Sequence, residues 1–321
     1  SSRLFKRLVG LNMLSLDGLL GVCLYVICSS LMLIGNKVTI SLIPMPAFVF
    51  AVQLLAAATF IQMGKFTRLL QVDNMNCESV RLMLPYTATF ALSVYANGKS
   101  LEHSNVETVI VFRACSPLAV CFFEWMLMGR QLPSLKSAAS LLTIAIGAIG
   151  YMRADSAFLL QGFSAYTWVL IYLLLIVYSM LYGKQLSSKV SFSNPVWGLT
   201  LYTNVMAFPV MAVFALLGGE QKQLENFHMD GKAVSALIAS SLIGIGIGWS
   251  GWNCTRMLTA TSYTVVGVTC KFLTILLNVI IWDKHASALG IFWLAVCLVA
   301  GVFYSPSPLR DQNGQGPCLP A

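Results

Sequence analysis

The chain has 321 residues, 57% of them hydrophobic and only 10% charged, with a formal net charge of +8 and a mean hydropathy of +0.77. A soluble domain carries roughly 25% charged residues, so this chain lacks the polar surface needed to face water around one core. That excludes a soluble enzyme, a nucleic-acid-binding domain and a disordered chain, and no basic run of five to eight residues gives the positive balance a nucleic-acid partner.

About 20 apolar residues cross a bilayer as a helix. Ten such stretches follow one another at roughly 17–37, 45–63, 82–99, 105–127, 135–152, 164–184, 197–218, 232–252, 259–282 and 286–304. The expected fold is an all-α polytopic membrane protein; alternation of period two is absent, which argues against a β-barrel. Residues 1–16 form an amino-terminal segment, residues 17–304 the helical domain, and residues 305–321, rich in Pro, Gly and Gln, a disordered tail. Arg3, Lys6 and Arg7 precede a first apolar stretch too long for a cleavable signal.

An even number of spans puts both ends on one side. Twelve Lys and Arg fall at the termini and in the loops of that side, against five in the opposite loops: Lys99, Arg153, Lys222, Lys232 and Lys284. Both termini are therefore expected in the cytosol. The nine cysteines lie mostly in apolar stretches, where they act as small hydrophobes, and imply no disulfide framework. His103, His228 and His285 are too dispersed for a metal site. Asn253-Cys254-Thr255 is a glycosylation sequon on the cytosolic side, where it is expected to be unused.

The two halves, about 17–152 and 164–304, echo each other. Thr108-Val-Ile-Val-Phe-Arg113 in span four parallels Thr264-Val-Val-Gly-Val-Thr269 in span nine, Gly150-Tyr151 parallels Phe303-Tyr304, and Lys37 parallels Lys184. Five spans per half is an odd number, so the halves form a five-plus-five inverted repeat. Such repeats place a binding site at the midplane and support alternating access.

Three cations remain within or at the edge of spans: Lys271 near the middle of span nine, Arg113 within span four and Lys37 near the end of span one. A Lys or Arg at a helix centre costs about 2.5–3.5 kcal/mol on the insertion scale, so it faces a partner or a cavity. No carboxylate neighbours Lys271 in sequence, and Glu107 and Glu124 stand off the favoured three- or four-residue spacing from Arg113. An excess of buried cations suits an anionic solute such as a phosphate ester. Tyr25, Tyr202 and Tyr263 could stack on an organic ring, with the interfacial aromatic belt as the competing role. Gly244-Ile-Gly-Ile-Gly-Trp-Ser-Gly251 reads as a small-residue packing face rather than a phosphate loop, since no strand precedes it.

These residues resemble the nucleotide-sugar transporters of the drug/metabolite transporter superfamily, over nearly the whole membrane region, and within them the GDP-sugar branch of GDP-mannose and plant-type GDP-fucose carriers. Four segments carry the resemblance: Tyr25-Val-Ile-Cys-Ser-Ser-Leu-Met-Leu-Ile-Gly-Asn-Lys37, Asn105-Val-Glu-Thr-Val-Ile-Val-Phe-Arg113, Leu201-Tyr-Thr-Asn204, and Tyr263-Thr-Val-Val-Gly-Val-Thr-Cys-Lys271 with Trp282-Asp-Lys-His285. The third is similar to a Phe-Tyr-Asn-Asn motif that contacts guanine. The fourth is similar to a Gly-Ala-Leu-Asn-Lys motif whose Lys meets phosphate, so Gly267, Cys270 and Lys271 occupy its positions. Three residues depart from the pattern: Thr203 replaces the first Asn, Cys270 the second, and Gly248 a guanine-contacting Ser. Each changes a hydrogen-bonding group that bears on the choice of base.

The resemblance implies a Golgi antiporter that exchanges a cytosolic GDP-sugar for lumenal GMP. Lys271, with Lys37 or Arg113, would neutralise phosphate; Tyr202, Thr203, Asn204 and Gly248 would bound the base; Tyr25 and Tyr263 the sugar or ribose. It implies no cofactor, no metal and no nucleic acid, a lipid surround, and is compatible with a homodimer. A plastid-type sugar-phosphate/phosphate exchanger is the alternative, but that branch carries an adjacent Lys-Arg pair where Lys271 is followed by Phe272. A non-transporting receptor or scaffold would need large soluble loops, and an enzyme a cluster of His, Asp or Glu at an interface; the sequence has neither.

Overall fold

The computed structural model describes residues 16–104, 106–127, 131–154, 166–257, 266–267, 270–271, 274–275, 277 and 287–303. Among them the chain is helical without strands: α1 (Leu16–Leu42), α2 (Pro46–Phe66), α3 (Cys77–His103), α4 (Val106–Ala114), α5 (Ser116–Leu127), α6 (Leu135–Ala154), α7 (Thr167–Lys189), α8 (Pro195–Leu217), α9 (Glu220–Glu225), α10 (Gly231–Met257) and α11 (Ala288–Phe303). Tyr263, most of the span expected at 259–282, the amino-terminal segment and the tail lie outside the described residues.

Helix ends follow local chemistry. Pro46 and Pro195 open α2 and α8, where a missing N–H costs nothing. The Asn76 side chain accepts from the Ser79 N–H at 2.7 Å and caps α3, and Asp230 accepts from the Ala233 N–H at 2.8 Å and caps α10. Gly219, at φ +70°, turns the chain from α8 into the short α9.

Among the described residues, seven helical segments are long and apolar enough to cross a membrane: Leu20–Leu42, Pro46–Phe66, Val106–Phe123, Leu135–Ala154, Thr167–Ser187, Pro195–Leu217 and Gly231–Met257. α3 is as long as α1 but carries Glu78, Arg81, Lys99 and Glu102, and α11 is apolar but shorter. The chain is thus an all-α polytopic membrane protein. Large apolar side chains such as Leu20, Leu142, Leu174 and Phe292 are exposed on its outside, which is the stable arrangement when the solvent is lipid.

Three local expectations change. Lys37 does not close α1, which continues to Leu42 because no breaker intervenes before Pro44. Lys184 likewise lies inside α7, which runs to Lys189. Span four divides at Cys115, because Pro117 has no N–H for the Arg113 carbonyl four residues back; the Leu118 N–H instead reaches the Cys115 carbonyl at 3.0 Å.

The helices pair antiparallel. α1 lies along α10, with Gly21 against Asn253, Cys28 against Gly246, Met32 against Gly244, and the Thr39 hydroxyl on the Ala236 carbonyl. The glycine run of α10 is therefore a packing face, as expected from its sequence. α6 lies along α11 through Gly147 and Gly150 against Cys297 and Trp293, with Ser140 donating to the Ala300 carbonyl. α3 pairs with α7, where the Tyr182 hydroxyl meets the Leu82 carbonyl at 3.2 Å, and α2 pairs with α8. Across the outer loops, Asp73 accepts from the Ser193 hydroxyl at 2.6 Å and its N–H at 2.7 Å. These bonds hold the Asp73 carboxyl below its usual range.

Candidate functional site

Polar groups from α1, α4 and α7 surround the described residues of the ninth span. Lys271 is only 4% exposed, and its ammonium has no hydrogen-bond partner among the described residues. A buried cation in that condition is costly until an anion meets it. The charge that acts on it is a second cation, Arg113. Arg113 stands one residue short of the end of α4, beside the break at Cys115, and its Nη1 donates to the Tyr172 hydroxyl of α7 at 3.1 Å. A helix broken at membrane depth is tolerated where it is buried in protein or lines a cavity. Arg113 is half-buried; two cations in one field repel each other, and a phosphate or diphosphate would relieve that repulsion.

α1 forms the adjoining wall. The Ser30 hydroxyl is shared between the Val26 carbonyl at 2.7 Å and the Cys270 carbonyl at 2.9 Å, fixing the residue before Lys271. Tyr25 is 4% exposed and packs with Val22, Cys254, Val266 and Cys270, close to Gly251. Burial at this depth separates it from an interfacial belt. A Cβ on Gly267 would meet no atom of the described residues within 4 Å.

A second polar group lies where α8 faces α10. The Asn204 Nδ2 donates to the Thr200 carbonyl at 2.7 Å, and its amide oxygen has no donor among the described residues. Thr203 turns its hydroxyl back on the Leu199 carbonyl at 2.7 Å. A Cβ on Gly248 would stand 3.1 Å from Thr200 Cγ2 and 4.0 Å from Asn204 Nδ2, so position 248 adjoins both residues. Leu16 to Tyr25, Pro195 to Asn204 and Gly248 to Met257 are each nine steps of helix. At 1.5 Å per residue these three lie in one layer, about 14 Å in from the helix ends on the side of the positive loops.

Two expected residues stand elsewhere. The Tyr202 hydroxyl accepts from the Asn76 N–H at 2.8 Å and its ring stacks on Phe192 at 5.0 Å, so it pins the start of α3. The Lys37 ammonium donates to the Leu101 carbonyl and, at 3.0 Å, to that of Ser104, and so covers the end of α3. It lies twelve residues, about 18 Å, along α1 from Tyr25. Neither Tyr172 nor Ser30 stands out in the sequence. A tyrosine and a serine in apolar runs carry no sign of a partner 59 or 240 residues away.

The comparisons bear on this arrangement. A crystal structure superposes with a TM-score of 0.57 at 12% identity, covering 89% of this chain and 95% of its own, and shares the fold. No protein-family model matches the chain. GDP-fucose transporter 1 of Arabidopsis thaliana is 34% identical over 295 residues, covering 90% of this chain and 85% of that protein. GDP-mannose transporter GONST3 of the same plant is 32% identical, covering 90% and 78%. The GDP-mannose transporter of Yarrowia lipolytica is 20% identical, covering 92% and 95%. These relatives are named as transporters and not as enzymes. With identity above 30% across most of both chains, the protein belongs to the nucleotide-sugar transporter family, in its GDP-sugar branch.

Proposed function

We propose that this protein exchanges a GDP-sugar, of the GDP-fucose or GDP-mannose type, for GMP across the Golgi membrane by alternating access. The observation that carries the reading is the buried Lys271 ammonium, without an acceptor among the described residues and in the field of Arg113. The nucleotide's phosphates would neutralise this pair. Thr203 and Asn204, the latter beside Gly248, would bound the base, while the Tyr202 hydroxyl accepts from the Asn76 N–H. Tyr25 would bound the sugar or ribose, a role it would share with Tyr263. The empty site is cationic, so its reorientation is slow, and either anion relieves that penalty; exchange follows without a coupled proton.

The architecture we propose is ten spans in a five-plus-five inverted repeat with cytosolic termini. The pairing of helices supports it: exchanging each span for the one five further on turns the α1–α10 pair into α7–α3, and leaves α2–α8 and α6–α11 as they are. The test is reconstitution into GMP-loaded liposomes with labelled GDP-fucose, GDP-mannose, UDP-galactose and triose phosphate outside. Uptake of a GDP-sugar that depends on internal GMP is expected. Uptake of triose phosphate alone would move the protein to the sugar-phosphate branch.

A further inference from the structure

We propose that Tyr172 is a further binding residue of the anion site, its phenol oxygen held by Arg113 and its O–H presented to a phosphate oxygen. This rests on the reading of Lys271 and Arg113 as the phosphate site. Tyr172 lies on α7 and is 5% exposed, inside the main core of the bundle. A phenol can accept and also donate one hydrogen bond. Its accepting side is used by the Arg113 guanidinium at 3.1 Å. Its own proton has no acceptor among the described residues. A buried hydroxyl in lipid depth needs that acceptor. The neighbouring donor in the same condition is the Lys271 ammonium, and Arg113 stands in contact with one and in the field of the other. Two donors beside one guanidinium, the Tyr172 hydroxyl and the Lys271 ammonium, fit the several acceptor oxygens of a phosphate or diphosphate.

The bond is one of the contacts that orient the Arg113 guanidinium. Tyr172 therefore contributes a direct donor beside that of Arg113.

The test uses Tyr172→Phe, which keeps the ring and its packing and removes only the hydroxyl. In GMP-loaded liposomes the KM for the GDP-sugar should rise about tenfold, the loss of one hydrogen bond to a charged group. Inhibition by GMP should weaken by the same factor, while inhibition by guanosine stays within about twofold. The melting temperature of the purified protein without ligand should fall only slightly, by the loss of the one bond from Arg113. Equal weakening of GMP and guanosine, or no weakening of either, would overturn the proposal. A fall in the ligand-free melting temperature with the GMP-to-guanosine ratio intact would make Tyr172 a packing residue only. A second measurement needs no transport: inorganic pyrophosphate should raise the melting temperature of the wild type and not that of Tyr172→Phe. Equal shifts, or none in the wild type, would refute the site even if exchange is observed. A wild type that shows the pyrophosphate shift but no GMP exchange would refute the transport reading and leave Tyr172 standing.

Discussion

The ammonium of Lys37 donates to the main-chain carbonyl of Ser104 at 3.0 Å and also to that of Leu101. The last carbonyls of a helix lack intrahelical donors and carry the negative end of its dipole. Lys37 supplies both the donors and the charge for α3, and the carboxylates of Glu107 and Glu102 add attraction. On the same turn of α1, the Asn36 amide oxygen accepts from Gln53 Nε2 at 3.1 Å, and Gln53 also donates to the Ser240 hydroxyl at 3.0 Å. One turn of α1 thus ties together α2, α3 and α10.

Lys37→Met keeps the side-chain length and removes the donors. It should lower stability by about 1–3 kcal/mol, the cost of uncovering buried carbonyls, while changing GMP affinity less than twofold. Lys37→Arg should recover most of the stability. Thermal melting with and without GMP checks both statements.

Lys271 faces the opposite outcome. Lys271→Ala should reduce GMP-driven uptake at least a hundredfold, since losing one buried, charge-paired partner costs about 2–5 kcal/mol of binding. The ligand-free protein should melt no lower, because the change removes a buried cation that has no partner among the described residues. Transport at the wild-type rate would remove Lys271 from the phosphate site.

Asn204 is expected to decide the base. Asn204→Ala should weaken inhibition by GMP about tenfold or more and inhibition by UMP much less, because unmatched buried polar groups discriminate strongly. Competition assays with the two nucleotides measure the ratio.

The seam of α6 and α11 makes a prediction independent of function. A Cβ on Gly147 would stand 2.7 Å from Cys297 Sγ and 3.2 Å from the main-chain N of Cys297 and O of Trp293. Backbone cannot step aside, so Gly147→Ala should cost about 1–3 kcal/mol. On α10, a Cβ at Gly244 has only Met32 Cε at 3.7 Å, and Gly244→Ala should be tolerated.

Glu220 gives the protein a pH dependence. Its carboxylate accepts from the Ala47 N–H at 3.2 Å and the Phe48 N–H at 2.7 Å, at the start of α2. Burial raises its pKa, and the Phe48 and Ala47 bonds and Lys99 only partly offset this. A raised folded pKa means the folded state holds its proton at higher pH than the unfolded state does. Stability should therefore rise as pH falls from neutral through the folded pKa towards the ordinary carboxylate value of 4.5. Glu220→Gln should flatten that part of the profile in melting experiments.

How far the sequence reached depended on whether a feature is local. The α10 glycine run and the intramembrane position of Lys271 are legible because each depends on near neighbours in the chain. The end of α1 was misplaced because Asn36 and Lys37 look like a polar terminus. Their polarity is instead consumed inside the bundle, by Gln53 and by the end of α3. α9 was not expected, since five polar residues and one Leu show no apolar period; it forms where Glu220 reaches the start of α2.

The sequence by itself determined that the chain is a membrane protein and that cations lie where lipid would not accept them. Those are matters of hydropathy and solvation, which add residue by residue. The tertiary structure decided what each cation does. Lys37 is spent on carbonyls, Arg113 donates to Tyr172, and Lys271 has no partner among the described residues. The three are equally costly in an apolar span, and only the groups that folding carries to each one separate a structural charge from one that waits for an anion.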